Sequence, residues 1–324
     1  MVVGLISKYN ISMHINGHIT KIFDRLIKKE NFVIIDIGDF FINKGTIQNF
    51  LMSKFNIIPK YYITFNNIGA HADIIEELSH ILKIICIVDD IHHLKSVRNP
   101  RIKVFQNSHY ILNTYAYVYN FYKFPISNNN IFFPHSARYL AKFNNKPINK
   151  ILISGTIIKN IYQDRYYLSQ LAKNDNRLHI LNITQNIIGK KYYNTLGKYI
   201  SCFVDDSRFY ILAKFFEIPA SGSLLFAMNI NTKHIFSQLG FIDGVNYISC
   251  DRNNVIEKIK YITNPNNLHI INKIRKNGHN LIKYNHMWKH RYDYILKLLS
   301  SKDLYQNNIS NQFDTSYKII INDS

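Results

Sequence analysis

Glu217 is a lone carboxylate in an otherwise apolar stretch, Lys214-Phe-Phe-Glu-Ile-Pro-Ala-Ser-Gly-Ser-Leu-Leu-Phe-Ala227. A carboxylate can accept hydrogen bonds from two vicinal hydroxyls, as on a ribose, and a buried ribose needs such a partner. A solvated glutamate on the outer face of a helix is the other reading. Earlier in the chain, Ser154-Gly-Thr156 is followed by Lys159 and Arg165. A Ser-Gly turn after a strand lets backbone N–H groups approach an anion, and the two cations could neutralise a diphosphate. Neither the Gly-x-Gly-x-x-Gly fingerprint nor the Walker pattern is present, and Arg165 also suits a plain surface position. Asp205-Asp-Ser-Arg208 follows another apolar run, with Ser207 placed to cap a helix. In the first half, Asp89-Asp-Ile-His-His93 sets two carboxylates and two imidazoles past a strand, where Asp90 or His92 could act as a base or orient a sugar hydroxyl. Capping of the following helix is the alternative there.

These residues share one kind of place. In open α/β sheets, ligands bind beyond the carboxyl ends of the strands, and each cluster follows an expected strand. Apolar runs predict first-half strands near Gly4 and over 32–36, 62–65, 84–88, 102–105 and 131–133, with helices over 19–27, 72–82 and 109–122. Residues 139–150 lose periodicity and gain Asn, Lys and Pro147, which marks a linker. Beyond it, strands are expected over 151–154, 178–183, 200–204 and 224–227, alternating with helices over 162–171, 190–199 and 207–220. The last of these helices rests on the spacing of Phe209, Leu212, Ala213, Phe216 and Ala220, with Pro219 and Gly222 as its stop. Further helices are expected over 254–263, 268–278 and 281–299, with Gly278 ending the middle one. The alternation predicts an α/β protein of two doubly wound units, divided as 1–145, 146–300 and a polar tail 301–324.

A length of 324 residues also exceeds one ordinary core, which agrees with two domains. Apolar residues at 47% make the chain globular, and a net charge of +19 raises the question of nucleic acid. The basic residues are spread along the chain with no block, and Lys, Asn, Ile, Tyr and Phe are abundant together, as AT-rich coding would give; no specific nucleic-acid partner is expected. The basic surface could favour contact with anionic membrane faces. Cys86, Cys202 and Cys250 lie far apart in apolar runs and read as core thiols of a reducing compartment. The opening run Met1-Val-Val-Gly-Leu-Ile-Ser is too short for a signal peptide, and no run approaches the ~18 apolar residues of a membrane span. A cytoplasmic protein is expected. No His, Cys and carboxylate grouping has metal-ligand spacing.

Phe216-Glu-Ile-Pro-Ala-Ser-Gly-Ser-Leu-Leu resembles the Phe-Glu-x-x-Ala-x-Gly signature of GT-B glycosyltransferases, in particular the spore-maturation-protein-type branch of the group-1 family. Ser154-Gly with Tyr162-Gln-Asp-Arg165, Gly240-Phe-Ile-Asp-Gly-Val-Asn-Tyr, and His286-Met-Trp-Lys-His-Arg291 support it in the same order. The resemblance implies GT-B architecture, two Rossmann-like domains facing across a cleft. The second would hold a nucleoside-diphosphate sugar, and the first would present an acceptor hydroxyl of a glycan, protein or lipid. It implies that Glu217 binds ribose and that Ser221 and Gly222 lie against the nucleotide. Ser154, Gly155, Lys159 and Arg165 would then hold the diphosphate, with Asp90 or His92 facing the reacting sugar. No metal or other cofactor is implied, and the metal-binding Asp-x-Asp element of the GT-A class occurs nowhere in the sequence. The chain departs from the pattern at Phe209, eight residues before Glu217, where many relatives carry a glutamate that contacts the donor sugar. Donor-sugar recognition must then differ, or Asp205 or Asp206 substitutes. A non-catalytic nucleotide or polyanion binder on the same fold is the alternative. His286 and Arg291 suit either a domain-joining or a substrate-facing role.

Overall fold

The computed structural model describes residues 4–7, 17–40, 45–65, 72–88, 100–114, 130–181, 187–206 and 211–300. Asp90, His92, Ser207, Phe209, the 115–122 part of the expected first-half helix and the tail 301–324 lie outside the described residues. The chain divides into two units, Met1–Pro134 and His135–Ser324.

The first unit is a parallel sheet of β1 (Gly4–Ser7), β2 (Phe32–Ile35), β3 (Tyr61–Phe65), β4 (Lys83–Val88), β5 (Tyr110–Asn113) and β6 (Asn130–Phe132), in the order β2-β1-β3-β4-β5-β6. Its helices are α1 (Gly17–Lys29), α2 (Ile47–Phe55), α3 (Ala72–Ser79) and α4 (Pro100–Gln106). β3 and β4 are buried at every residue but the first, because parallel strands are covered on both faces and so read as unbroken apolar runs.

Two expected elements are corrected here. Residues 102–105 form α4, although Ile102 and Val104 alternate as in a strand. Pro100 opens the helix at a position where its missing N–H costs no hydrogen bond, and Lys103 pairs with Glu76 of α3 at 2.7 Å. In place of the start of the helix expected over 109–122 stands β5, four fully buried residues next to β4. A short apolar run fits either element, and pairing in the sheet decides it.

The second unit repeats the architecture with β7 (Ile148–Ile153), β8 (Leu178–Ile180), β9 (Tyr199–Asp205), β10 (Leu224–Met228) and β11 (Ile248–Ser249), all parallel, in the order β11-β10-β9-β7-β8. Its helices are α5 (Gln163–Leu171), α6 (Gly189–Leu196), α7 (Lys214–Ala220), α8 (Lys233–Gln238), α9 (Val255–Thr263), α10 (Leu268–Asn285) and α11 (Trp288–Ser300). The core joins β7, β9 and β10 to α9 and α10 through Ile151, Phe203, Phe226, Ile259 and Ile271. Strand order reverses between β7 and β9, and in open α/β sheets ligands bind beyond the carboxyl ends of the strands at such a point. Among the described residues no helix is long and apolar enough to cross a membrane.

Residues 139–147 carry no regular element and lie within the second unit, to which hydrogen bonds tie them. Ala141 N–H donates to Ala220 O at 3.0 Å, and Arg275 Nη2 donates to Asn144 O at 3.0 Å. Of the helix expected over 207–220, residues 207–210 lie outside the described residues, 211–213 are not regular helix, and the helix runs from Lys214 to Ala220. The helix expected to stop at Gly278 instead runs through it to Asn285. Gly278 is there for packing: a Cβ would stand 2.5 Å from the Asn246 carbonyl oxygen and 3.4 Å from Pro219 Cβ. The helical break comes at His286–Met287, where Ala137 N–H donates to His286 O at 2.8 Å and Trp288 N–H donates to Ala137 O at 3.0 Å.

His286 and Arg291 lie fully buried in the second unit. One guanidinium nitrogen of Arg291 donates to His286 Nδ1 at 2.9 Å and to His135 O at 3.0 Å. The other ring nitrogen of His286 then carries the proton and donates to Leu239 O at 2.8 Å. Burial, then the Arg291 charge, hold its pKa well below the ordinary histidine value.

This packing sets two expected outcomes. In an open helix, Gly278→Ala would gain up to about 1 kcal/mol; against the Asn246 carbonyl it should cost about 1–3 kcal/mol, read as a lowered Tm. Because the folded pKa of His286 lies below its unfolded value, its contribution to stability is complete above about pH 6.5 and is lost as pH falls toward the folded value. Urea stability should therefore drop from about pH 7 to about pH 5, with a shallower drop in His286→Gln; parallel profiles would remove His286 as a source.

Candidate functional site

The residues directly after β7 and β9 stand where the strand order of the second unit reverses. Ser154 and Gly155 succeed β7, Ser154 buried and Gly155 with φ +96°, a conformation that favours glycine. Asp205 ends β9 and Asp206 comes next, both buried.

α7 reaches the same place from the other side. Its Phe215, Phe216 and Ile218 are fully buried, which turns Lys214 and Glu217, one helical turn apart, toward the half-buried flank. Lys214 Nζ donates to Ser154 O at 2.7 Å. Its ammonium occupies the space that a side chain on residue 155 would take, with Arg165 Nη1 also within 3.3 Å of that space. Burial, reinforced by the Arg165 charge, brings the Lys214 pKa down to about 7, against the opposite pull of Glu217 and Asp205. Burial pushes the Glu217 carboxyl up to about 7, opposed by Lys214 and by a hydrogen bond from Tyr193. Tyr192, whose hydroxyl lies 3.4 Å from Ser154 Oγ, has its pKa raised by burial and then by Glu217.

The other expected site residues divide. Arg165 is buried: Nη2 pairs with Asp205 at 2.7 Å, Nη1 donates to Thr156 O at 2.8 Å, and the backbone N–H reaches Asp205 at 3.2 Å. Its guanidinium is stacked 4.3 Å from the Tyr162 ring centroid. Asp206 accepts from Thr232 N–H at 2.8 Å, Thr232 Oγ1 at 2.9 Å and Asn231 Nδ2 at 3.2 Å, at the start of α8, while burial raises its pKa. Lys159 is exposed, its ammonium 6.0 Å from the Tyr166 ring centroid. Ser221 and Gly222 serve the turn from α7 into β10. The Ser221 hydroxyl donates to Ile218 O at 2.6 Å, and Gly222, φ +81°, would bring a Cβ within 3.2 Å of the Phe143 ring.

Ser154, Gly155, Arg165, Asp205 and Glu217 are thus gathered at one place, whereas Asp206 and Lys159 point to other partners. Sequence reading missed Lys214, although its three-residue spacing from Glu217 on one helix was the signal. Tyr192, Tyr193 and Arg275 gave no signal. Arg275 is buried and donates to Gly222 O at 3.0 Å, holding the turn after α7 from beneath.

Removing one partner of a buried ion pair strands the other charge, at a cost of about 3–5 kcal/mol. Arg165→Ala should therefore unfold at markedly lower urea concentration than the wild type, and the double change Arg165→Met with Asp205→Leu should recover much of that loss. A single variant as stable as the wild type would contradict the pairing.

No family model matches the chain, and no curated protein matches it in sequence. Solved structures do match in shape. A glycosyltransferase from Rickettsia africae superposes with a TM-score of 0.58 at 11% identity, covering 94% of this chain and all of that one. A sucrose-phosphate synthase from Thermosynechococcus elongatus gives 0.59 at 9% identity, covering 92% and 98%. TarM gives 0.53 at 10% identity, covering 78% of this chain and 57% of its own. At such identities the likeness speaks to fold, and the fold is the GT-B fold, two Rossmann-like α/β units in a single chain.

Proposed function

We propose that the chain transfers a sugar from a nucleoside-diphosphate sugar to an acceptor hydroxyl of a glycan, protein or lipid, in the manner of the spore-maturation-protein-type glycosyltransferases. The observation that carries this reading is Glu217. It lies half-buried beside the carboxyl end of β7, where the strand order reverses, one turn from a cation on the same helix. In this reading its carboxylate receives the two ribose hydroxyls, and those hydrogen bonds favour the ionised form that burial opposes. The Ser154-Gly155 turn presents backbone to the diphosphate. Fixed cations and backbone donors that stabilise the departing diphosphate are the main catalytic term, and no metal is required by the scheme. Asp90 or His92 of the first unit is proposed to face the reacting sugar.

A second reading, a nucleotide binder without transferase chemistry, is favoured by one observation. The two aspartates that would replace the carboxylate missing at Phe209 are both engaged in the fold, Asp205 by Arg165 and Asp206 by Thr232 and Asn231. Release of nucleoside diphosphate from a panel of nucleotide-sugars separates the two.

For the site itself, UDP, GDP and their sugars should raise the Tm of the wild type by several degrees and leave Glu217→Ala nearly unmoved. Equal shifts for the two proteins would remove the ribose assignment.

A further inference from the structure

Three cations were expected or found near the carboxyl end of β7, and they are not equivalent. Arg165 is 2% exposed, has two of its nitrogens bound to Asp205 and Thr156, and its remaining Nε is buried away from any ligand. Lys159 is exposed, its ammonium 6.0 Å from the Tyr166 ring centroid. Lys214 differs from both. It keeps part of its surface open, as do Gly155 and Glu217 beside it, while Ser154 and Asp205 beneath are closed.

From this we infer that Lys214 is the residue that grips the diphosphate of the bound nucleotide, and that Gly155 lacks a side chain so that the Lys214 ammonium can stand at the end of β7. The inference rests on the nucleotide reading given above and assigns its cation. An ammonium has three N–H donors, and among the described residues Lys214 gives one of them to Ser154 O, which fixes its direction and leaves two for an anion. A Cβ on residue 155 would overlap that ammonium, and the φ of +96° is one that other residues adopt only under strain. Lys214 and Glu217 are three residues apart, about 4.5 Å along the helix axis, so a ribose on Glu217 would have its 5′-phosphate one turn away, at Lys214. The charged neighbours facing the ammonium are Arg165 from α5, Asp205 from β9 and Glu217 from α7 itself. Arg165 repels it and is itself paired with Asp205, while among the described residues no ion pair holds Lys214, so its charge is the one open to an arriving diphosphate.

The test compares a nucleoside diphosphate with its bare nucleoside, UDP against uridine and GDP against guanosine, by calorimetry on the full chain. Wild type should bind the diphosphate more tightly than the nucleoside. Lys214→Met should lose about 10- to 100-fold in diphosphate affinity, the loss of one or two charge-assisted hydrogen bonds, with nucleoside affinity unchanged. Gly155→Ala should reproduce this by displacing the lysine. Melting curves of both variants check folding; Lys214→Met strips Ser154 O and Glu217 of a partner and should lower the Tm, and its unchanged nucleoside affinity shows that the site itself is still folded. Diphosphate affinity that survives Lys214→Met, or that falls in Lys159→Ala instead, overturns the assignment while leaving the nucleotide reading intact. Equal losses for nucleoside and diphosphate also overturn it. A wild type that binds neither takes down the nucleotide reading and this inference with it.

Discussion

The approach of a lysine ammonium to the end of a buried strand organises the second unit. Lys214 donates to the carbonyl of Ser154, the residue after β7, and it does so through space that exists because residue 155 is glycine. That contact joins α7 to the point where the sheet order reverses. Burying a cation is unfavourable unless partners surround it, and here they come from three elements: Ser154 after β7, Asp205 at the end of β9, and Glu217 one turn further along α7. Ser154, Gly155, Arg165, Asp205 and Glu217 lie within that arrangement or hold it up.

The supports are buried polar groups whose hydrogen bonds cross between elements. Arg165 ties α5 to Asp205 at the end of β9, Asp206 holds the start of α8, and Arg275 ties α10 to Gly222 and to Asn144. Arg291 and His286 do the same at the joint between α10 and α11. Such networks act through being complete: fully paired they fix one arrangement, and loss of one member leaves the others as buried charges. Residues 139–147 become part of the second unit for the same reason, since their backbone groups are partners in that network.

Much of this architecture was legible in the sequence because parallel strands covered on both faces leave apolar runs without alternation, as at 84–88 and 224–227. Two doubly wound units followed from the alternation, and GT-B architecture from the Phe216-to-Leu225 resemblance. Legibility failed where local pattern and tertiary context disagree. Ile102 and Val104 alternate like a strand, but Pro100 and α3 make them helical. Gly278 reads as a helix stop, yet its role is set by Asn246 and Pro219, distant in sequence. At the site, Glu217 was visible as a carboxylate out of place. The engagement of Arg165 and Asp205 with each other was not, because ion pairing across forty residues has no local signature. Lys214 was hidden by ordinariness, a lysine in a lysine-rich chain, until Gly155 gave its ammonium a place.

The central claim is that the carboxyl end of β7 and the flank of α7 together form a nucleotide site. A crystal structure of the protein soaked with UDP or GDP tests it most directly. The account predicts ribose hydroxyls within hydrogen-bond reach of the Glu217 carboxylate and phosphate oxygens at the Ser154-Gly155 turn. A nucleotide bound elsewhere, with Glu217 turned to solvent, would contradict it.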